Sequence, residues 1–257
     1  MLMAYKFKNA LVRTPCKSIS NALSSIGEKP DFEKVIDEHN EYKMQLERSD
    51  IKIITLDALE DYPDSVFVED PAITFQDFCI ILRPGAPSRF GEHEVFRNEA
   101  INIFEEVFVV DNGKIEGGDI LRINDSFIIG LSERTNKEGA EELEKILLHL
   151  GAKVTITNTP NGVLHFKSDC SLLDNETILQ TKKMSLTGFF ENHFKVINVP
   201  EGEEPAANSL RVNNHLLLPK GFEKTYELLS KSYDIKLANV NEISKVDAGL
   251  SCMSLRW

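Results

Sequence analysis

Nowhere in the chain do roughly 18 apolar residues follow one another, as a membrane-crossing helix requires, so no membrane span is expected. The opening stretch, Met1 to Asn9, interleaves Lys6 and Lys8 with apolar residues and never builds the uninterrupted apolar segment of a signal peptide. A cytoplasmic location is the expectation. Cysteine is scarce: Cys16, Cys79, Cys170 and Cys252 stand far apart, with no C-x-x-C pair and no histidine at zinc-finger spacing. In a reducing compartment all are thiols, each either a buried hydrophobe or a reactive group. Glycine motifs for nucleotides are missing too, both G-x-G-x-x-G and G-x-x-x-x-G-K-[ST]. Basic residues are outnumbered, 29 against 41 acidic ones, and the net charge of −12 disfavours nucleic acid. The same charge would attract a small cation, although an acidic surface that only confers solubility would look identical.

What the sequence does hold is core-forming material, 42% hydrophobic residues in 257, with no linker or low-complexity tract to divide it. One domain spanning 1–257 is expected. Pro30-Asp31 opens a helical stretch whose stripe is Phe32, Val35, Ile36, His39, Tyr42 and Leu46. Asn136 is placed to cap a helix with the stripe Ala140, Leu143, Ile146, Leu147 and Leu150, ended by Gly151. A further helix is expected over Glu92–Glu106. Strands are expected at Ile51–Leu56, Ser65–Val68, Phe78–Arg83, Val107–Val110, Ser126–Leu131, Lys153–Thr157 and Val163–Lys167. More follow at Thr177–Thr181, Phe194–Val199, Ser209–Asn213, His215–Leu218 and Ile235–Val240, with a helix at Phe222–Ser232. The pattern is α/β with mixed sheets.

Some residues could carry chemistry. Cys252 lies in Gly249-Leu250-Ser251-Cys252-Met253-Ser254, whose small residues leave room for a substrate; an inert terminal cysteine fits the same sequence. Cys79, in Phe78-Cys79-Ile80-Ile81, reads as core. His165 sits in a strand-like context, where a histidine is usually structural, and the other five histidines read as surface or edge residues. Glu116-Gly117-Gly118-Asp119 puts two carboxylates around a tight turn. In Asp64-Ser65-Val66-Phe67-Val68-Glu69-Asp70, acids flank an aromatic, a combination able to hold a guanidinium and equally able to be a solvated edge. Arg89, ending Arg83-Pro84-Gly85-Ala86-Pro87-Ser88-Arg89, and Arg134 could each grip a carboxylate or simply face solvent.

Taken in order, D-S-V-F-V-E-D, R-P-G-A-P-S-R, E-G-G-D, S-E-R-T-N, L-H-F-K and S-C-M-S resemble the dimethylarginine dimethylaminohydrolases of the guanidine-modifying pentein superfamily, nearly end to end from Ala10 to Trp257. The resemblance implies an α/β propeller of five pseudo-symmetric ββαβ modules around a central active site; no internal sequence repeat announces it. It also implies roles: Cys252 as nucleophile, His165 as general acid and base, and Glu116 as the carboxylate orienting the histidine. Asp70 would hold the guanidinium, with Glu69, Asp64 and Phe67 around it. Arg89 and Arg134 would bind the substrate α-carboxylate, and Leu23 would belong to a lid. The implied reaction, hydrolysis of methylated arginines to citrulline, needs no cofactor and no metal. The implied partner is a small cationic amino acid, with a homodimer as the assembly to test.

Arginine deiminases resemble this pattern but carry aspartate two positions after the histidine, where this chain has Lys167. An arginine deiminase or citrulline hydrolase is therefore the neighbouring alternative. A catalytically silent pentein that binds cationic amino acids would not need Cys252, His165 and Glu116 together.

Overall fold

In the computed structural model, which describes residues 3–257, side-chain caps start the two longest helices where the sequence places them. Met1 and Leu2, the beginning of the opening stretch, lie outside the described residues. Asp31 accepts from the Lys34 amide at the head of Phe32–Glu47, and Asn136 accepts from Gly139 at the head of Lys137–His149. Beyond the second helix Gly151 takes the left-handed conformation (φ +83°) that ends it. Asn136 Oδ1 also accepts the Lys114 amide at 2.9 Å, tying the helix start to the preceding loop. Asn136→Ala leaves both amides without that partner. We expect a loss of about 1–2 kcal/mol, read as a lower urea midpoint at unchanged slope.

The strands assemble into five separate three-stranded sheets, each with one antiparallel and one parallel pairing. Four follow one plan in chain order. In the second, Ala72–Phe75 runs antiparallel to Phe78–Ile81, the helix Glu92–Ala100 crosses over, and Glu106–Val109 returns parallel. The same ββαβ order recurs over 120–158, 170–198 and 210–238. The remaining sheet joins the chain ends: Asn9–Arg13 pairs parallel with Lys52–Leu56 and antiparallel with Leu255–Arg256. Its third strand thus comes from the end of the chain and places Cys252 one turn ahead of it. Each parallel pair is spanned by a helix, as a parallel connection demands. Five clusters of buried apolar side chains fill the modules and the seams between them.

The structure departs from the sequence expectations mainly around the site. Ser65–Val68 is a buried run of turns in which the amides of Ser65, Phe67 and Asp70 bond back to Tyr62, Asp64 and Phe67. Val163–Lys167 is a loop entering a 3-10 turn, Phe166–Ser168. A β-branched apolar run mimicked a strand in the first and short alternation did so in the second, whereas the true first strands of these modules, Ala72–Phe75 and Cys170–Leu172, were too short and too continuously buried to alternate. The Glu92 helix stops at Ala100 rather than Glu106, where the β-branched Ile101 and Ile103 flank an asparagine. His39 is not a surface residue: it is 2% exposed on the apolar stripe, and burial pushes its pKa down to about 4.

Candidate active site

One loop precedes the first strand of each module, and hydrogen bonds tie these five loops into a ring. The Glu69 amide donates to the Cys252 carbonyl (3.2 Å), and the Gly117 amide to the Asp70 carbonyl (3.1 Å). The Phe166 amide donates to Asp119 Oδ1 (2.9 Å), and Asn208 Nδ2 to the Lys167 carbonyl (3.4 Å). Asn208 Oδ1 closes the circuit by accepting the Ser251 amide at 3.1 Å. The glycine pair in this ring has a steric origin. A Cβ on Gly117 would lie 1.9 Å from the Glu69 carbonyl oxygen, and one on Gly118 would lie 2.7 Å from the His165 ring.

His165 is gripped by two buried carboxylates. Its Nε2 lies 3.4 Å from Glu116 and its Nδ1 3.4 Å from Asp119, a residue given no role by the sequence reading. Asp119 is fully buried and held by the hydroxyls of Ser132 and Thr135, both at 2.7 Å. Burial alone would lower the histidine pKa. Asp119, then Asp70 and Glu116, outweigh that and hold it above its ordinary value. Glu116 itself is pushed up by burial and by Asp70, against the pull of His165, Arg89 and Arg134. It accepts the Gly85 amide (2.8 Å), and Arg134 reaches it at 3.5 Å.

Cys252 is half-buried in the turn Ser251–Met253 and shares with His165 the wall of an open cleft of about 1120 Å3, mouth included. Burial, with Asp70 and Glu69 nearby, pushes its thiol up to about 12. Around it lies an unusual density of buried acid: Asp64, Glu69, Asp70, Glu92, Glu116 and Asp119. Glu69 pairs with Lys167 and Arg256, each at 2.8 Å. Arg89, 3% exposed, gives Nε and Nη2 to Glu92 at 2.6 Å each. Its Nη1 goes to Asp70 at 2.5 Å and Nη2 also to the Phe67 carbonyl, leaving one Nη1 N–H over. Asp64 Oδ2 is buried without a hydrogen-bond partner, and burial raises the pKa of that carboxyl despite Arg89. The carboxylates of Asp70 and Glu116 come within 4.8 Å of each other and of His165, two acceptors suited to a cation.

The Leu23 amide donates to the other oxygen of Asp64 at 3.1 Å, and the next residues cross to the far rim. Ser24 Oγ donates to the Lys245 carbonyl, and Ser25 donates amide and hydroxyl to Asp247, all at 2.6 Å. The segment expected to be a lid therefore bridges the acid pocket and the loop that carries Asp247, itself part of the cleft wall. Of the ten residues assigned from the sequence, His165 and Cys252 line the open cleft, and Glu69 lines a second cavity that adjoins it.

A curated dimethylarginine dimethylaminohydrolase from Pseudomonas aeruginosa is 36% identical to this chain over 256 residues, covering 98% of this chain and all of that one. The chain belongs to the dimethylarginine dimethylaminohydrolase family. A second member, from Streptomyces coelicolor, is 31% identical over 97% of this chain and 96% of its own. The arginine deiminase family model matches residues 58–185. Among solved structures, the Pseudomonas family member, as a Cys-to-Ser mutant complexed with citrulline, superposes with a TM-score of 0.94 over 98% of this chain and 100% of that one. The N-terminal domain of ArgZ, 16% identical, reaches 0.84 over 96% and 97% of the two chains, a likeness of fold. The five-module arrangement is thus the pentein propeller. Among the described residues no helix is long and apolar enough to cross a membrane.

Proposed function

We propose that the chain hydrolyses Nω-methylated arginines, asymmetric dimethylarginine and monomethylarginine, to citrulline and dimethylamine or methylamine. One observation carries the reading. A half-buried thiol and a doubly carboxylated imidazole share a cleft beside acids that their own cations do not satisfy, Asp64 Oδ2 being left without a donor. A guanidinium supplies what is missing: delocalised charge and several N–H donors in one plane.

In this reading the substrate guanidinium is drawn to Asp70 and Asp64, and its α-carboxylate is met by Arg134 and the spare N–H of Arg89. Its charge offsets Asp70 and Glu69, the acids that keep the Cys252 proton on. When its target arrives the thiol gives its proton to solvent, and the Sγ thiolate attacks the guanidinium carbon. His165 delivers a proton to the departing methylated nitrogen, and the C–N bond breaks to leave an S-alkylthiouronium on Cys252. His165 then takes a proton from water, the hydroxyl adds to the same carbon, and the C–S bond breaks as the hydroxyl proton passes to sulfur, giving citrulline and the free cysteine thiol. The family resemblance supports each of these roles. All the groups come from one chain and from several of its modules, so the 257 residues work as a single catalytic unit whether or not a homodimer forms. A reducing compartment such as the cytoplasm would keep Cys252 a thiol.

Lys167 favours a methylated substrate. It pairs with Glu69 where a deiminase-like aspartate would add a second acceptor for an N–H, and a dimethylated nitrogen has no N–H to offer. Asymmetric dimethylarginine, monomethylarginine, arginine and citrulline, scored for citrulline, ornithine, ammonia and amine, decide the matter. We expect citrulline and dimethylamine in equal amounts, with arginine at least roughly 100-fold poorer in kcat/KM. Citrulline and ammonia from arginine, with nothing from dimethylarginine, would make the enzyme a deiminase.

A further inference from the structure

A second cavity backs onto the catalytic cleft, with Lys167, Asn208 and Ser251 walling both. It measures about 820 Å3, mouth included, and its lining is cationic. The ionised groups lining it are Arg122, Lys167, Arg211, Arg256 and a single acid, Glu69. Glu69 is already shared between Lys167 and Arg256. Among the described residues, Arg122 and Arg211 have no carboxylate partner. Arg122 gives Nε to the Asn124 carbonyl (3.0 Å) and otherwise stacks over Phe75 at 5.0 Å and Phe127 at 5.9 Å. Arg211 lies 5.5 Å over both Tyr5 and Tyr233.

The donors around this cavity are left over in number. Arg122 Nη2, Arg211 Nε, Arg256 Nε and the hydroxyls of Ser171 and Ser251 are buried with no hydrogen-bond partner among the described residues, against one unpartnered acceptor, Glu69 Oε2. Both serines are more than nine-tenths buried. Native interiors pair nearly all such groups, so a cluster of unpaired donors marks the place of a missing acceptor. In a chain of net charge −12, a cation-rich cavity is also the opposite of what the average surface would give. The rest of the lining is apolar, including Ile73, Leu121, Phe127, Leu172 and Leu210. An inorganic oxyanion would answer the arginines and leave these walls wetted.

We propose that this cavity binds a small carboxylate with an apolar body, its charge taken by Arg122 and Arg211 and its body set against the apolar walls. The site lies behind the catalytic one, across the shared wall of Lys167, Asn208 and Ser251, and it does not depend on the proposed reaction. Hexanoate is the probe, titrated calorimetrically into the full-length protein with hexanamide and inorganic phosphate as comparisons. Saturable one-to-one binding of hexanoate is expected, at least roughly tenfold tighter than either comparison. Arg122→Gln/Arg211→Gln should weaken it at least roughly tenfold, the charge-keeping Arg122→Lys/Arg211→Lys should restore part of it, and Arg134→Gln should leave it alone. Absence of saturable binding at millimolar hexanoate overturns the proposal. So does equal binding of hexanamide, tighter binding of phosphate, or loss on Arg134→Gln but not in the double glutamine variant, which would place the probe in the catalytic cleft.

Discussion

Cys252→Ser lowers citrulline release from asymmetric dimethylarginine by at least about 10^4-fold while substrate still binds, because the cation-holding acids are untouched. A serine hydroxyl in this position meets the same neighbours as the thiol with a far higher intrinsic pKa, so a bound guanidinium cannot ionise it. Calorimetric titration of dimethylarginine into the variant, beside a citrulline assay, separates the two effects. Retention of more than about a hundredth of the activity would remove Cys252 from the nucleophile's place. The wild-type thiol carries its own signature. Pushed up to about 12 by burial, Asp70 and Glu69, it should react with iodoacetamide slowly at neutral pH and about tenfold faster per pH unit upward. A non-reacting cationic amino acid should accelerate alkylation at fixed pH unless it shields the thiol sterically, so the alkylating reagent must be small. A thiol that alkylates rapidly at pH 7 in the free protein would mean that activation does not wait for the substrate.

Much of this site was legible in the sequence only as fragments. The turn glycines, Asn136 and Asp31 act locally, through caps and left-handed backbone, and so can be read from a few neighbouring residues. The proposed catalytic residues cannot. Asp70, Glu116, His165 and Cys252, with Asn208 of the ring, each sit ahead of the first strand of a different module, roughly one module apart along the chain. What joins them is the ring of hydrogen bonds among loops, and each such bond is a long-range event. The fivefold plan left no repeat in the sequence because each module keeps only a pattern, two short strands, a helix and a strand, and fills it with different side chains. Two loops even imitated strands, one with the apolar run Val66-Phe67-Val68 and the other with the alternation Leu164-His165-Phe166-Lys167.

Asp119 shows where the fragmentary reading fell short. The motif Glu116-Gly117-Gly118-Asp119 presents two acids, and the family resemblance assigned a role to the first. The fold places the second beneath His165 with equal closeness and better support, from two hydroxyls and a backbone amide. Arg89 shows the reverse. Its sequence context suggested a free guanidinium for a carboxylate, whereas in the structure most of its N–H groups are engaged by Glu92, Asp70 and Phe67. A buried arginine among this many acids acts first as their counter-ion.

His165→Asn should lower kcat by about 10^3-fold with little change in KM, since the imidazole delivers and takes protons without holding the guanidinium. The more discriminating variant is Asp119→Asn, which preserves shape and one acceptor for the Phe166 amide while removing a charge. Burial works to lower the His165 pKa, and Asp119 is the leading group that raises it. Without that carboxylate the histidine loses its proton at lower pH. The alkaline limb of kcat/KM, where His165 no longer holds the proton it must give the leaving amine, then moves toward acid, and kcat near neutrality falls by roughly ten- to a hundredfold. If Asp119 only propped the loop, the variant would lose rate at every pH and leave the limb where it was. Glu116→Gln should move the limb in the same direction by less, because Glu116 follows both Asp119 and Asp70 among the charges acting on the ring.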